Sequence, residues 1–336
     1  MIYLLSFFIA LCITYLITPL AIRIAHHYDC IDIPSERKFH NVATPRWGGL
    51  AFFVGFLSVL FFVNIDTQFF SYLISSGILV IIGAIDDCRR LSWRIKLPAT
   101  IIATSIVIFG GDILVHQIGT YGQAGGLDLG VMSIPFTFFA VIGVTNAINL
   151  IDGLNGLAGG VSLIAFLFMG IAAVLTGNSP VALACFVLVG ALGGFLWYNF
   201  PKARIFMGDS GSLFLGFSLA IFAILLTQSE GSQVETLYPG LLLLIPIIDT
   251  VRVMFVRLYH GKNPFRADRT HLHHLMIRRG FSSVKTVIIF WSTTLLLGIL
   301  ALLLMKETSM PYAVMILAGT VVLTYSAQSA YQQKSD

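Results

Sequence analysis

Apolar residues run along this chain in long blocks, and polar residues gather in the short breaks between them. About 20 apolar residues in a helix span a hydrocarbon core of about 30 Å. Eleven such blocks can be read, at 1–22, 47–65, 67–85, 97–111, 129–150, 157–176, 181–200, 211–228, 237–256, 286–305 and 309–328. Gly177-Asn178-Ser179-Pro180 divides one long uncharged stretch into two helices. The first block differs from a signal peptide, because its apolar core is too long, it lacks a basic leading region, and ten more blocks follow. The pattern predicts an all-α polytopic membrane protein of about eleven transmembrane helices. Residues 1–336 read as one integral membrane domain, with no separate soluble domain and no internal repeat.

Composition agrees with that reading. Hydrophobic residues make up 57% of the 336, charged residues only 11%, and the mean hydropathy is +0.89. A soluble domain carries about a quarter charged residues, so a cytosolic enzyme, a disordered chain and a secreted disulfide scaffold are excluded. Cys12, Cys30, Cys88 and Cys185 are far apart and suggest neither a disulfide framework nor a zinc site.

The net charge of +4 is modest, but its distribution is informative. With eleven spans, alternate loops fall on alternate sides. Of the 20 Lys and Arg residues, all but Lys306 belong to one side. Positive-inside then puts that side in the cytoplasm, with the N-terminus periplasmic and the C-terminus cytoplasmic.

The polar residues that chemistry needs lie in the loops of the basic side, near 23–46, 86–96, 149–160, 199–212 and 257–285. Arg37-Lys38-Phe39-His40 and Thr44-Pro45-Arg46-Trp47-Gly48-Gly49 read either as positive-inside charge before a helix or as a phosphate site. Asp86-Asp87 closes the third span. Two adjacent carboxylates persist most easily beside a cation, either arginine or a divalent metal. Asn149, Asp152 and Asn155 recur every three residues and would share a face at a helix end. Phe206-Met207-Gly208-Asp209-Ser210-Gly211-Ser212 suits a hard cation or phosphate oxygens, or a helix cap made by Asp209 or Ser210. In Asp268-Arg269-Thr270-His271-Leu272-His273-His274, Thr270 could cap a short helix ending at Gly280. His271, His274 and Arg278 would then line one face suited to phosphates. Acidic and basic loops sharing one side suggest a magnesium-bridged anionic substrate beside a lipid.

At these residues the chain resembles the polyprenyl-phosphate N-acetylhexosamine-1-phosphate transferases, and within them the bacterial members that use UDP-N-acetylglucosamine and undecaprenyl phosphate. The likeness covers nearly the whole chain, through Arg37–Gly49, Gly83–Asp87, Asn149–Gly160, Phe206–Ser212 and Pro264–His274. It implies transfer of N-acetylhexosamine 1-phosphate, N-acetylglucosamine 1-phosphate foremost, from a UDP-sugar to undecaprenyl phosphate. The products would be undecaprenyl-diphospho-sugar and UMP. This opens O-antigen, enterobacterial common antigen or related envelope polysaccharide synthesis at the cytoplasmic face of the bacterial inner membrane. The implied cofactor is Mg2+, with Mn2+ a substitute. The implied partners are the UDP-N-acetylhexosamine, undecaprenyl phosphate and the bilayer. No nucleic acid is implied, and a homodimer is left open.

Residue by residue, the resemblance implies metal binding by Asp209 and Asp87, and an acidic catalytic pair in Asp86 and Asp87. Asp152 and Asn149 would line the nucleotide-sugar site, and Phe206 and Asn199 would lie near the uridine. His271, His273 and His274 match the family's histidine motif. Lys38, His40, Arg269 and Arg278 are further substrate-binding candidates. Asn155 stands where many members carry a second Asp; its amide can still accept from and donate to a uracil edge. The alternative class is a nucleotide-sugar or anion transporter, which would place polar groups near the bilayer midplane.

Overall fold

The computed structural model describes residues 1–33, 42–119, 126–229, 231–259, 261 and 270–307. Lys38, His40 and Arg269 lie outside the described residues, as does the block at 309–328. The described chain is almost entirely helical. The helices are α1 (Ile2–His27), α2 (Gly48–Phe56), α3 (Thr67–Arg89), α4 (Trp93–Ser105), α5 (Ser133–Ile151), α6 (Leu157–Leu175), α7 (Ser179–Asn199), α8 (Gly208–Thr227), α9 (Tyr238–Leu242), α10 (Leu244–Tyr259), α11 (Leu272–Arg278) and α12 (Ser283–Leu304). Two short antiparallel ribbons join Ile31–Asp32 to Thr44–Pro45 and Gln117–Ile118 to Leu127–Asp128.

Eight helical stretches are long and apolar enough to cross a membrane: Ile2–His27, Thr67–Arg89, Trp93–Gly110, Gly130–Ile151, Leu157–Leu175, Ser179–Asn199, Gly208–Thr227 and Ser283–Leu304. Two expected spans are shorter than expected. The block at 47–65 forms only α2 and a following 3-10 turn to Phe61. The block at 237–256 breaks at Leu243 into α9 and α10, with Pro239 and Pro246 each in the first turn of one of the two pieces. A proline lacks the N–H that a continuous helix would need there.

Loops alternate between the two ends of the bundle. At one end, Asp66, Asp112, Asn178 and Gln228 line a common cleft, and the Glu235 amide donates to the carbonyl of Met305. At the other end lie the C-terminal turns of α3 and α5 and the first turn of α8. The membrane protein is thus confirmed as polytopic.

α8 is the centre. It is buried along most of its length, with α3 and α5 against it, and α7 is similarly enclosed between α1 and α6. The outward surfaces carry Leu4, Leu16, Phe139, Leu296 and Leu303, as expected for side chains that meet lipid. Several hydroxyls inside the bundle are satisfied locally. Thr18, Thr104, Thr145 and Ser218 each donate to the carbonyl four residues earlier. The Tyr72 hydroxyl lies 2.7 Å from that of Ser218 in the buried α3–α8 contact.

One expectation about cysteine is corrected. Cys30, after α1, is disulfide-bonded to Cys88 in the last turn of α3. The two are 58 residues apart and carry no local spacing motif. Only the packing of the first loop against α3 brings them together.

Candidate active site

The site is built on the first turn of α8. Gly83 of α3 lies against the backbone of Ser210, and Gly49 of α2 against that of Gly211, with no room for a β-carbon at either place. The segment entering α8 is fixed by a backbone ladder. Phe206 N–H donates to Pro45 (2.7 Å), Gly48 N–H to Phe206 (2.9 Å) and Gly49 N–H to Met207 (2.8 Å).

This close approach lets Asp87 reach the start of α8. Its Oδ1 accepts from the Asp209 amide at 2.7 Å, and its Oδ2 accepts from the Ser210 amide at 3.2 Å and the Ser210 hydroxyl at 2.8 Å. The first amides of a helix have no partner within it and favour an anion. The expected cap made by Asp209 or Ser210 is therefore supplied instead by Asp87, from another helix. Lys96 of α4 completes the cluster. Its Nζ is 2.6 Å from Asp209 and 3.5 Å from Asp86. Beside Asp86 of the acidic pair the structure places a lysine rather than an arginine.

A cavity of about 320 Å³ opens beside this turn, lined by Arg46, Asp87, Asn149, Asp152, Asp209 and His274, among others. The Asn149 amide donates to Ser212 at 2.8 Å. α5 ends at Ile151, so Asn149, Asp152 and Asn155 do not share a helical face. All three nonetheless line the cavity, because the turn from 152 to 156 wraps its wall. Burial raises the Asp152 carboxyl to about 7, with the Asp209 charge pushing the same way and Arg46 opposing. Arg46 is itself held by Asp32 at 2.7 Å.

Asn199 and Phe206 also line the cavity. Asn199 accepts from the Gly156 amide at 2.6 Å and donates to the carbonyl of Ile205 at 2.8 Å, so it staples two wall loops together. Asn155 donates to the carbonyl of Pro201 at 3.2 Å.

The histidine motif divides three ways. α11 starts at Leu272 with His271 at its cap position, and Thr270 does not cap it. His271 turns away from the cavity and meets Asp249 at 2.9 Å. His273 is buried with its ring against Gly153, and neither ring nitrogen has a hydrogen-bond partner among the described residues. Burial lowers its pKa to about 3, so it is neutral. Only His274 lines the cavity. Arg278, at the end of α11, and Asp86 do not line it.

The donor set fits one kind of metal site. No group of three or more His, Cys, Asp or Glu side chains among the described residues could cage an ion. Asp209 and Asp152 nevertheless bring hard carboxylate oxygens to one cavity. Magnesium is commonly held by one or two carboxylates together with substrate phosphates, and these residues suit that arrangement.

Sequence reasoning missed Lys96 and Asp32 as site members, whereas Arg46 stood in a stretch read either as positive-inside charge or as a phosphate site. Lys96 gave no local signal, since its partner Asp209 is 113 residues away.

Comparison with known proteins decides the class. A protein of Bacillus subtilis (strain 168), named as a probable undecaprenyl-phosphate N-acetylglucosaminyl 1-phosphate transferase, is 33% identical over 306 residues, covering 90% of this chain and 85% of that protein. The chain belongs to glycosyl transferase family 4. The sequence model of that family matches residues 69–227, which hold α3 through α8 and hence the acidic half of the cavity. An Escherichia coli (strain K12) protein named undecaprenyl-phosphate alpha-N-acetylglucosaminyl 1-phosphate transferase is 30% identical over 301 residues, 88% of this chain and 82% of its own. A Salmonella typhimurium (strain LT2) protein of the same name is 32% identical over 292 residues, 83% of this chain and 78% of its own. This member of family 4 is a sugar-phosphate transferase of the membrane, which displaces the transporter alternative.

Proposed function

We propose that the enzyme transfers N-acetylglucosamine 1-phosphate from UDP-N-acetylglucosamine to undecaprenyl phosphate, giving undecaprenyl-diphospho-N-acetylglucosamine and UMP. The observation that carries this reading is the single cavity where Asp87, Asp152 and Asp209 meet Arg46 and His274, with Lys96 behind Asp209. Such a mixture of charges suits a diphosphate whose own charge must be neutralised. The relatives named above supply the lipid and the sugar.

In the proposed reaction a lipid phosphate oxygen attacks the β-phosphorus of the UDP-sugar. The bond to the bridging oxygen breaks, and UMP leaves with that oxygen. A phosphate monoester has a second pKa of about 6, so the acceptor is already largely ionised at neutral pH. The chain's main tasks are then to bring two anions together in line and to neutralise charge as it shifts. Arg46 and His274, which both line the cavity, would meet the phosphates. Lys96 holds Asp209 in place, and Asp87 holds the turn that carries it. Mg2+, or Mn2+ in its stead, would be held by Asp209 with Asp152 nearby, and would supply Lewis-acid neutralisation of the diphosphate. Asp87, expected as a second metal ligand, is assigned to orienting Asp209, because its oxygens are engaged by the α8 amides.

The basic loops support a cavity facing the cytoplasm, with the N-terminus periplasmic and the C-terminus cytoplasmic. The enzyme would then begin O-antigen, enterobacterial common antigen or related polysaccharide synthesis. The test is incubation of purified enzyme with undecaprenyl phosphate, Mg2+ and a panel of UDP-sugars, with mass analysis of the lipid. The expected product carries N-acetylhexosamine on a diphosphate. Label that crosses a vesicle membrane without entering lipid would sink the reading.

A further inference from the structure

Asp249 lies in α10 with no exposed surface. A carboxylate buried in an apolar helix is costly unless fully partnered, and such residues are usually functional. Its partners all point to one place. Oδ1 accepts from Arg252 at 2.8 Å and from the Leu272 amide at 2.9 Å, while Oδ2 meets His271 Nδ1 at 2.9 Å. Arg252 also donates to the carbonyl of Thr270. The Asp249–Arg252 pair therefore grips residues 270, 271 and 272 together.

That grip sets the start of α11. Leu272 is its first residue, and His271 at the cap position makes no side-chain cap bond. The Leu272 amide, one of the first-turn donors with no partner inside the helix, is held by Asp249. The next residue, His273, packs against Gly153 of the cavity wall, and His274 after it lines the cavity. A short helix anchored at one end by a rigid, fully buried carboxylate delivers its next turn to a defined position.

We propose that Asp249 is a positioning residue for the transfer reaction. It acts through His271 and the Leu272 amide to place His274 against the donor diphosphate. On this view His271 contributes its Nδ1–H to the clamp and does not touch substrate. The proposal rests on the reading that the cavity takes the UDP-sugar.

The test uses the full-length enzyme in detergent with UDP-N-acetylglucosamine and undecaprenyl phosphate. Asp249→Asn keeps the size of the side chain and removes its charge. It is expected to lower kcat/KM for the UDP-sugar about 100-fold, the scale of a misplacement of about 1 Å, while KM for undecaprenyl phosphate stays within about twofold. In a His274→Ala background the same change should add little further loss. Equal loss for both substrates, a full multiplicative loss in the double variant, or wild-type kinetics would each overturn the proposal. Should Asp249→Asn fail to fold, the His271 pair decides. His271→Asn retains an N–H donor for Asp249 and should keep much more activity than His271→Ala. Equal losses in those two would mean that His271 acts by contact, and would overturn the clamp. A wild-type enzyme that modifies no lipid with any UDP-sugar would refute the function itself, a result distinct from all of these.

Discussion

Asp87 of α3 accepts a hydrogen bond from the Asp209 amide of α8 at 2.7 Å, across 122 residues of sequence. Two carboxylates that would repel one another are brought together because one of them binds the backbone beneath the other. The amide dipoles of the α8 first turn take the charge of Asp87, and Lys96 takes that of Asp209. Asp209 is thereby left at the cavity wall in a fixed orientation.

Replacing Asp87 by Asn should weaken that hold without emptying it, since an amide oxygen still accepts one bond. A hydrogen bond to a charged group contributes about 1.5–3 kcal/mol, so turnover should fall by roughly 10- to 100-fold. Asp209→Asn should instead abolish Mg2+-dependent turnover while the protein still inserts. Lipid-product assays on both variants, normalised to membrane-inserted protein, check the contrast. Near-normal activity in Asp209→Asn would remove it from the metal site.

Lys96→Met should expose the repulsion that Lys96 now offsets. Asp86 and Asp209 lose their shared cation, so the variant should melt at a lower temperature than wild type in EDTA. Added Mg2+ should then raise its melting temperature by more than it raises that of the wild type. Thermal unfolding in detergent with and without Mg2+ measures both shifts. Equal shifts in the two proteins would argue that the metal binds elsewhere.

Gly83 and Gly77 occupy the same helix and predict opposite behaviour. A β-carbon at Gly83 meets the Ser210 backbone, whereas at Gly77 it meets nothing within 4 Å. Gly83→Ala should destabilise by about 1–3 kcal/mol through overpacking and displace the α8 turn, with loss of activity. Gly77→Ala should be neutral or stabilising by about 0.5–1 kcal/mol, since it removes backbone freedom from a helix interior. Melting temperatures and transfer rates of the pair test the backbone-to-backbone contact directly.

Asp152 carries a pH signature. Its folded pKa is raised to about 7, above an unfolded value near 3.8. Between those values the unfolded chain is ionised while the folded carboxyl keeps its proton, so stability is lost as pH rises through that window. Asp152→Asn cannot ionise. In EDTA its melting temperature relative to wild type should therefore rise from pH 4.5 to pH 8, even as transfer activity falls. A difference that stays constant across this range would place Asp152 in a wetter, less charged setting.

Much of this protein was legible without coordinates. Eight of the apolar blocks form long helices where their length predicts them, because a span in lipid must satisfy its own backbone and therefore must be helical. The acidic candidates were also legible, since Asp87, Asp152 and Asp209 stand out against an almost chargeless background. The breaks at Leu243 and after Phe56 were not, because an apolar block does not show how long its helix runs. Nor was the split of the histidine motif legible, as adjacent histidines look alike until packing sends one to Asp249, one to Gly153 and one to the cavity.

The sequence by itself determined that the chain is a helical membrane protein and that its chemistry lies in a few polar loops, because hydrophobic length and the cost of buried charge are local properties. The tertiary structure alone decided which carboxylate caps α8, which cation answers Asp209, how Cys30 finds Cys88, and which histidine reaches the cavity. Those choices depend on partners dozens to more than a hundred residues apart, and no local pattern records a pairing that close helix packing creates.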